Sequence, residues 1–178
     1  VGVSEDSFEL LAGSRYLKIG IRENLTEAAG GEEYAYAHGE PNAHGETILY
    51  CTQEEYETFW KEYFDLSASY SDYIARIDRQ DDYLKSAAEF GSGIRILRQD
   101  TWEMIITFIL SQQNNIPRIK GLIRTLCERY GERCVTPDGR TYDTFPRAED
   151  LAQATEEELR ELKLVYRSKY ICQTAKMV

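Results

Sequence analysis

The sequence predicts an α+β fold, a small antiparallel sheet packed with a mainly helical part. Three observations predict it. Residues 1–51 hold short runs in which apolar and polar residues alternate, the pattern of strands buried on one face. From Thr52 onward the apolar residues recur at three- and four-residue intervals, the period of a helix. Residues 100–131 read as two apolar-rich helices joined by four consecutive amides, Gln112, Gln113, Asn114 and Asn115. The expected division is a β-rich part over 1–51 and a helical part over 52–178.

Taken in order, Ser7 to Leu11 and Tyr16 to Ile21 are strand candidates separated by Ala12-Gly13-Ser14-Arg15, a hairpin-type connection. Leu17, Ile19 and Ile21 alternate with Lys18 and Gly20, so one face is buried. Glu23 to Glu46 is polar and Gly-rich and reads as an irregular excursion, and Thr47 to Cys51 reads as a further strand. A sheet of about three strands needs helices to cover it. His38 and His44 fall in the excursion without a third ligand, so they read as solvated and no metal is expected.

Thr52 and Glu55 have capping-box spacing, and Tyr56, Phe59, Trp60, Tyr63 and Phe64 follow on one helical face. That face reads as core rather than as a base-stacking platform. Ser71 to Ile77 and Asp82 to Phe90 are shorter helices, the second stopped by Gly91. Phe90-Gly91-Ser92-Gly93-Ile94 is a structural turn, because the residues after it read as extended.

The central hairpin opens with Asp100 and Glu103 at capping-box spacing. Its first helix is apolar almost all round (Trp102, Met104, Ile105, Ile106, Phe108, Ile109, Leu110), which is the pattern of a buried helix. Its second helix starts at Asn115 and Pro117 and shows an apolar face of Ile116, Ile119, Ile123, Leu126 and Tyr130 before Gly131. Arg118, Lys120, Arg124 and Arg129 form the other face. Cys134 to Phe145 reads as a loop around Pro137-Asp138-Gly139. A short helix follows from Pro146 to about Ala152. Thr155 and Glu158 cap the next, with Leu159 and Leu162 inward, and a last helix starts near Ser168 after the junction Lys163 to Arg167. It still carries apolar residues where the chain stops.

The net charge of -10 argues against a general polyanion binder. Its distribution is uneven. Residues 116–133 carry five basic and two acidic side chains, residues 159–178 five and one, and the remainder sums to -17. Two basic segments on an acidic body suit a short phosphate contact or two solvated helix faces. The four widely spaced cysteines, with no CxxC pair, read as reduced thiols in an intracellular protein. No apolar run approaches the roughly 18 residues of a membrane span.

Catalytic patterns are missing. There is no Gly-x-Ser-x-Gly, no P-loop, no His-Glu-x-x-His and no dinucleotide fingerprint. Lys120, Lys163, Lys169 and Lys176 sit among polar neighbours rather than in the desolvated setting of a nucleophilic amine. The four-amide tip fits an ordinary polar loop. It also fits a base-edge reader beside a helix start, since amides offer donors and acceptors together.

Further blocks bear on that choice. They are Gly93-Ile94-Arg95-Ile96-Leu97-Arg98-Gln99-Asp100, Trp102-Glu103, Phe108 through Ile119, Trp60 with Tyr63-Phe64-Asp65-Leu66, Phe145-Pro146, and Tyr166-Arg167-Ser168-Lys169-Tyr170. Together they closely resemble the 8-oxoguanine DNA glycosylases of the helix-hairpin-helix superfamily, well over residues 52–178 and loosely over 1–51. The resemblance implies a sheet domain similar to half of the TATA-binding protein beside a helical glycosylase domain. It implies base-excision repair, with a damaged purine flipped from duplex DNA and removed, and with abasic-site lyase activity. The implied partner is duplex DNA containing an oxidised purine, bound by a monomer with no membrane and no cofactor, in cytoplasm or nucleoid if the source is bacterial.

Carried over by position, Gln113, Asn114 and Asn115 match the hairpin-tip amides, with Gln113 where family members usually have the Asn that fills the vacated space. Arg118 matches the arginine reading the orphaned cytosine. Tyr166 matches the aromatic wedge, and Arg167 the second arginine at that cytosine. Glycines usual around the wedge junction are replaced by Lys163 and Val165. The base-touching Gly-Gln-x-Phe-Arg-Trp-like strand, the lysine hairpin and its following aspartate have no counterpart in residues 1–178. The expectation is therefore a glycosylase section truncated at both ends, without its helical domain's C-terminal part and without catalytic residues. The alternatives are a non-catalytic DNA-binding or lesion-sensing module and a structural domain with no nucleic-acid role.

Overall fold

The computed structural model describes residues 7–22, 35–37 and 46–178. They form two compact units, the first comprising residues 1–17 and 99–178 and the second 18–98. The boundary at residue 51, where sheet gives way to helix, falls inside the second.

The described strands β1 (Ser7–Ala12), β2 (Arg15–Arg22), β3 (Ala35–Ala37) and β4 (Glu46–Tyr50) follow the order β1-β2-β4-β3. The β1–β2 turn uses Gly13 at φ +58°. In unit 2, β4 is central. It pairs antiparallel with β2 in the register Lys18↔Tyr50 to Arg22↔Glu46, and with β3 in the register Ala35↔Tyr50 to Ala37↔Ile48. The excursion expected over 23–46 therefore contains a strand at Ala35–Ala37, which a three-residue stretch is too short to signal by alternation. His38 and His44 lie outside the described residues.

Unit 2 continues through α1 (Gln53–Glu55), a π-helical turn at Tyr56–Trp60 and α2 (Lys61–Tyr63). Both halves of the capping box form, Thr52 Oγ1 accepting from Glu55 N at 3.1 Å and Glu55 from Thr52 N at 2.9 Å. Tyr56, Trp60 and Tyr63 are buried, and Trp60 meets Tyr63 edge-on with centroids 5.6 Å apart. The aromatic face is core, as its spacing predicted. Helices α3 (Tyr70–Ala75) and α4 (Asp82–Phe90) complete the unit, and neither buries a residue. The Gly91 to Ile94 turn has Gly93 at φ +85°.

Unit 1 holds α5 (Thr101–Ser111), α6 (Ile116–Tyr130), α7 (Ala148–Ala152), α8 (Glu156–Leu159), a π-helical turn at Arg160–Leu164 and α9 (Arg167–Ala175). Their shared core contains Ile106, Leu110, Leu126, Leu151, Leu159, Leu164 and Ile171, all at 0% exposure. Such cores supply most of a small domain's stability, at about 1.5–3 kcal/mol per fully buried large side chain.

Four expectations change here. Leu122 joins Leu126 as a buried α6 residue, whereas Ile116 is 68% exposed. The apolar girdle of α5 is covered on one side only: Ile106 and Leu110 are buried while Met104, Ile105 and Phe108 are exposed. Asp100 caps Glu103 N at 2.9 Å. Glu103 does not return the bond, so only half of the capping box forms. Finally, the expected loop over 134–145 is a hairpin of β5 (Arg133–Val135) and β6 (Thr141–Asp143), paired Arg133↔Asp143 to Val135↔Thr141. The Pro-Asp-Gly turn was legible, but its flanking strands are only three residues long. Arg140 on this hairpin reaches Glu9 at 3.0 Å and Asp138 at 2.8 Å.

Candidate nucleic-acid interface

The site is built where α5 stops. The chain reverses through Gln112 and Gln113, and Gln113 adopts φ +46°, left-handed for a residue with a side chain. Asn114 closes the turn: its Nδ2 donates to Leu110 O at 2.9 Å, and its Oδ1 accepts from Asn115 N at 3.0 Å. The first contact satisfies one of the last-turn carbonyls a helix leaves unpaired. Asn115 then caps α6, its Oδ1 accepting from Arg118 N at 3.0 Å, with Pro117 in the first turn. Two amides thus build the tip and position Arg118. Gln113, Asn115, Arg118 and Lys120 are exposed at the positive end of the α6 dipole.

The turn before α9 meets the same tip. Lys163 and Val165 occupy φ +65° and +57°, and Val165 combines this with ψ -127°. Glycine tolerates that backbone, and a β-branched residue does so only with strain. The departure from the resemblance therefore changes the residues without removing the left-handed turn. Ser168 stabilises it by donating Oγ to Val165 O at 2.7 Å.

Tyr166 emerges from this turn at 46% exposure, and its hydroxyl donates to Gln112 O at 3.1 Å. Arg167 turns inward instead, at 2% exposure. Its Nη2 donates to Gln112 O and, at 3.4 Å, to Gln113 O, while its guanidinium lies 4.5 Å from the centre of the Tyr166 ring. Its Nε is buried without a hydrogen-bond partner among the described residues. One carbonyl therefore joins the two loops. Sequence reasoning singled out Gln112 for its side chain, but the structure uses its backbone oxygen, which no side-chain pattern reports.

All six sequence-derived residues (Gln113, Asn114, Asn115, Arg118, Tyr166 and Arg167) are gathered by this junction. Gln113, Asn115, Arg118 and Tyr166 face outward, Asn114 is half-buried and Arg167 is buried. An aromatic, two exposed amides and an arginine side by side can enter a base stack and bond to base edges.

Elsewhere in unit 1 a cleft of about 570 Å³ is lined by Asp100, Glu103, Glu132 and Asp150, among others, a poor surface for a polyanion. Burial and the neighbouring Asp100 raise the Glu103 carboxyl above its ordinary range. Burial pushes Cys127 and Cys51 up to about 11, so both remain thiols near neutrality rather than nucleophiles. All four cysteines are free. Among the described residues no cluster could hold a metal ion, and no helix is long and apolar enough to cross a membrane.

The chain is similar to known proteins in sequence and in fold. Residues 5–105 match the N-terminal domain of 8-oxoguanine DNA glycosylase, and residues 106–178 match the HhH-GPD superfamily of base excision DNA repair proteins. The N-glycosylase/DNA lyase of Saccharomyces cerevisiae is 40% identical over 126 residues, which are 70% of this chain and 33% of that one. The apo 8-oxoguanine glycosylase/lyase of Clostridium acetobutylicum superposes with a TM-score of 0.76 at 29% identity, covering 97% of this chain and 53% of that one. The same enzyme bound to double-stranded DNA with cytosine opposite 8-oxoguanine superposes at 0.72 and 29% identity, over 96% and 51%. The chain thus spans about half the length of these solved relatives and a third of the yeast protein. It belongs to the 8-oxoguanine DNA glycosylase family, within the HhH-GPD superfamily of base-excision repair proteins.

Proposed function

We propose that this chain supplies the DNA-holding surface of a glycosylase that removes oxidised purines from duplex DNA and carries abasic-site lyase activity. The observation that carries this reading is the junction at the Gln112 carbonyl, which sets Tyr166 beside the amide tip and the Arg118 helix start. The yeast relative's name, N-glycosylase/DNA lyase, supports the reaction class, and the Clostridium complex with DNA containing 8-oxoguanine supports the substrate class.

In this reading the sheet belongs to a TATA-binding-protein-like domain. Tyr166 wedges into the stack beside the orphaned cytosine, Gln113 fills the space left by the flipped base, and Arg118 reads the cytosine edge. Unstacking costs a few kcal/mol, and a filled gap offsets part of it. Gln113 reaches one methylene further than the usual Asn. The α6 start and Lys120 receive a backbone phosphate. Bond cleavage is assigned to a lysine and an aspartate outside residues 1–178. Lys120, Lys163, Lys169 and Lys176 are all exposed, unlike the desolvated amine that forms a Schiff base.

The test is anisotropy titration with duplexes holding an abasic-site analogue opposite cytosine or adenine. Tighter binding opposite cytosine is expected, with Arg118→Ala cutting the preference by the ~1–3 kcal/mol of one bidentate contact. Equal affinity for both duplexes sinks the reading. Incubation with 8-oxoguanine duplex and borohydride is expected to trap no adduct. A trapped adduct would move the chemistry onto one of the four lysines.

A further inference from the structure

Unit 1 keeps its backbone strain in one place. Among the described residues of this unit, those with a side chain and a positive φ are Gln113 at +46°, Lys163 at +65° and Val165 at +57°. All three belong to the junction of the amide tip with the turn before α9, and all three are exposed. A side chain in this region costs free energy that glycine would not. Asp65, at φ +52° in unit 2, shows how such a cost is offset inside a chain. Its carboxylate accepts from Arg98 Nε at 2.7 Å and from Tyr70 Oη at 3.0 Å. Lys163 has no such return. Its ammonium makes no hydrogen bond or ion pair among the described residues, and its exposed side chain gains little from burial. Neighbouring cations of the unit behave differently. Arg133 holds Asp143 at 3.0 Å, Arg140 holds Asp138 at 2.8 Å, Arg147 holds Asp150 at 3.0 Å and Arg160 holds Glu156 at 2.6 Å. Residues 159–178 carry five basic side chains and one acidic one, so Lys163 also stands in a locally positive field.

We infer that Lys163 is a phosphate anchor of the wedge turn, binding one DNA backbone phosphate beside the base step that Tyr166 enters. A strained side chain that is exposed and has no partner within the chain points to a partner outside it. Of the two strained residues in this turn, Lys163 carries the charge that names the ligand. An ammonium with three rotatable donors suits a phosphate, whereas it lacks the planar fork that reads a base edge. Its place in the sequence sets which phosphate it meets, since it stands three residues before Tyr166 on the same tight turn. Lys120 then holds the duplex from the start of α6 and Lys163 from the turn before α9. The wedge step is thus gripped from both of the elements that meet at Gln112 O. The inference rests on the DNA-holding reading of this junction and adds to it a contact that α6 does not make.

The experiment measures the affinity of the whole chain for a duplex with an abasic-site analogue opposite cytosine, across roughly 50 to 200 mM salt. The native chain is compared with Lys163→Gln, Lys163→Gly and Lys163→Arg. Losing one phosphate contact makes the slope of log affinity against log salt shallower by about 0.9, and at about 100 mM salt it lowers affinity about eightfold. Lys163→Gln and Lys163→Gly are both expected to show that loss, and Lys163→Arg to keep the native slope. Preference for cytosine over adenine opposite the site should be the same in every variant, because a phosphate carries no base identity. Lys163→Gln leaves a side chain on the strained backbone and Lys163→Gly relieves it, so agreement between them assigns the effect to charge. A native slope in Lys163→Gln overturns the inference and leaves the DNA-holding reading standing. A loss confined to Lys163→Gly, or one that Lys163→Arg does not restore, assigns the effect to the shape of the turn and overturns it as well. A changed cytosine preference in Lys163→Gln would make this residue a base reader and overturn the phosphate assignment. A native chain with no affinity for the duplex refutes the DNA-holding reading, and the inference falls with it.

Discussion

Arg118 and Arg167 are both arginines of the same junction, and the structure gives them opposite surroundings. Arg118 is exposed on a capped helix start, free to meet a base edge. Arg167 is 2% exposed and bonded to the carbonyls of Gln112 and Gln113. Charge-assisted hydrogen bonds contribute about 1.5–3 kcal/mol each, and without the guanidinium Gln112 O keeps only the Tyr166 hydroxyl as a donor. Arg167→Ala is therefore expected to lower unfolding stability by about 2 kcal/mol in urea titrations. It should weaken duplex binding equally opposite cytosine and adenine, where Arg118→Ala lowers selectivity. A selective loss in Arg167→Ala would show that Arg167 leaves its pocket and reads the base. Val165 poses a different residue-scale question. At φ +57° and ψ -127° it sits where glycine is favoured, and it is 51% exposed, so it gains little from burial. Such strain costs of order 1–3 kcal/mol, against ~0.5–1 kcal/mol for the added freedom of glycine when unfolded. Val165→Gly is expected to raise stability by about 1 kcal/mol, read by thermal melting. A lower melting temperature would mean that the turn is not strained.

At the scale of the element, helix α6 links capping to presentation. Asn115 Oδ1 holds Arg118 N at 3.0 Å. Asn115→Ala should cost about 1 kcal/mol through the lost cap. Asn115→Asp keeps the acceptor and suits the helix dipole, so stability should hold while DNA affinity falls, because a carboxylate there repels phosphate. Equal affinity for the Asp variant would remove the tip from the interface. The far end of the helix depends on shape. Gly131 terminates α6 at φ -79°, and a Cβ there would lie 2.0 Å from Thr144 O. The sequence marked the stop correctly, but for a reason it does not display, a close approach of the β5–β6 hairpin instead of a left-handed cap. The same division runs through the fold. The capping signals at Thr52, Asp100, Asn115 and Thr155 were legible because a cap is a local bond between residues three apart. Three-residue strands and π-helical turns were not, because their register is set by partners distant in sequence. The site was half legible: side-chain types marked the tip and Tyr166, while the Gln112 carbonyl that unites them and the burial of Arg167 are properties of tertiary contact.

For the whole molecule the deciding quantity is how charge is distributed. Within unit 2, Asp65 accepts from Arg98 Nε at 2.7 Å and from Tyr70 Oη at 3.0 Å, and these bonds hold its carboxyl below the ordinary aspartate range. A carboxyl lowered in the folded state contributes stability that is present above its unfolded pKa, about 3.9, and lost as pH falls through the folded value. Asp65→Asn should therefore melt below the native chain at pH 7, with the gap closing as pH drops below about 4. A gap independent of pH would assign the effect to shape. Charge distribution also decides how the chain meets DNA. Residues 116–133 carry five basic and two acidic side chains on a chain of net charge -10. Each phosphate neutralised adds about -0.9 to the slope of log affinity against log salt. Phosphate contacts limited to Lys120 and Arg124 on α6 would give a slope of about -2 for duplex binding between 50 and 200 mM salt. The acidic remainder should add nothing to it. Anisotropy titrations across that range check this. A flat response would mean that the basic face of α6 is solvated surface, and one steeper than about -5 would require phosphate contacts well beyond the tip. Arg124→Gln should make the slope shallower by about one unit without altering the preference for cytosine, since it lies two turns along α6 from the base-reading tip.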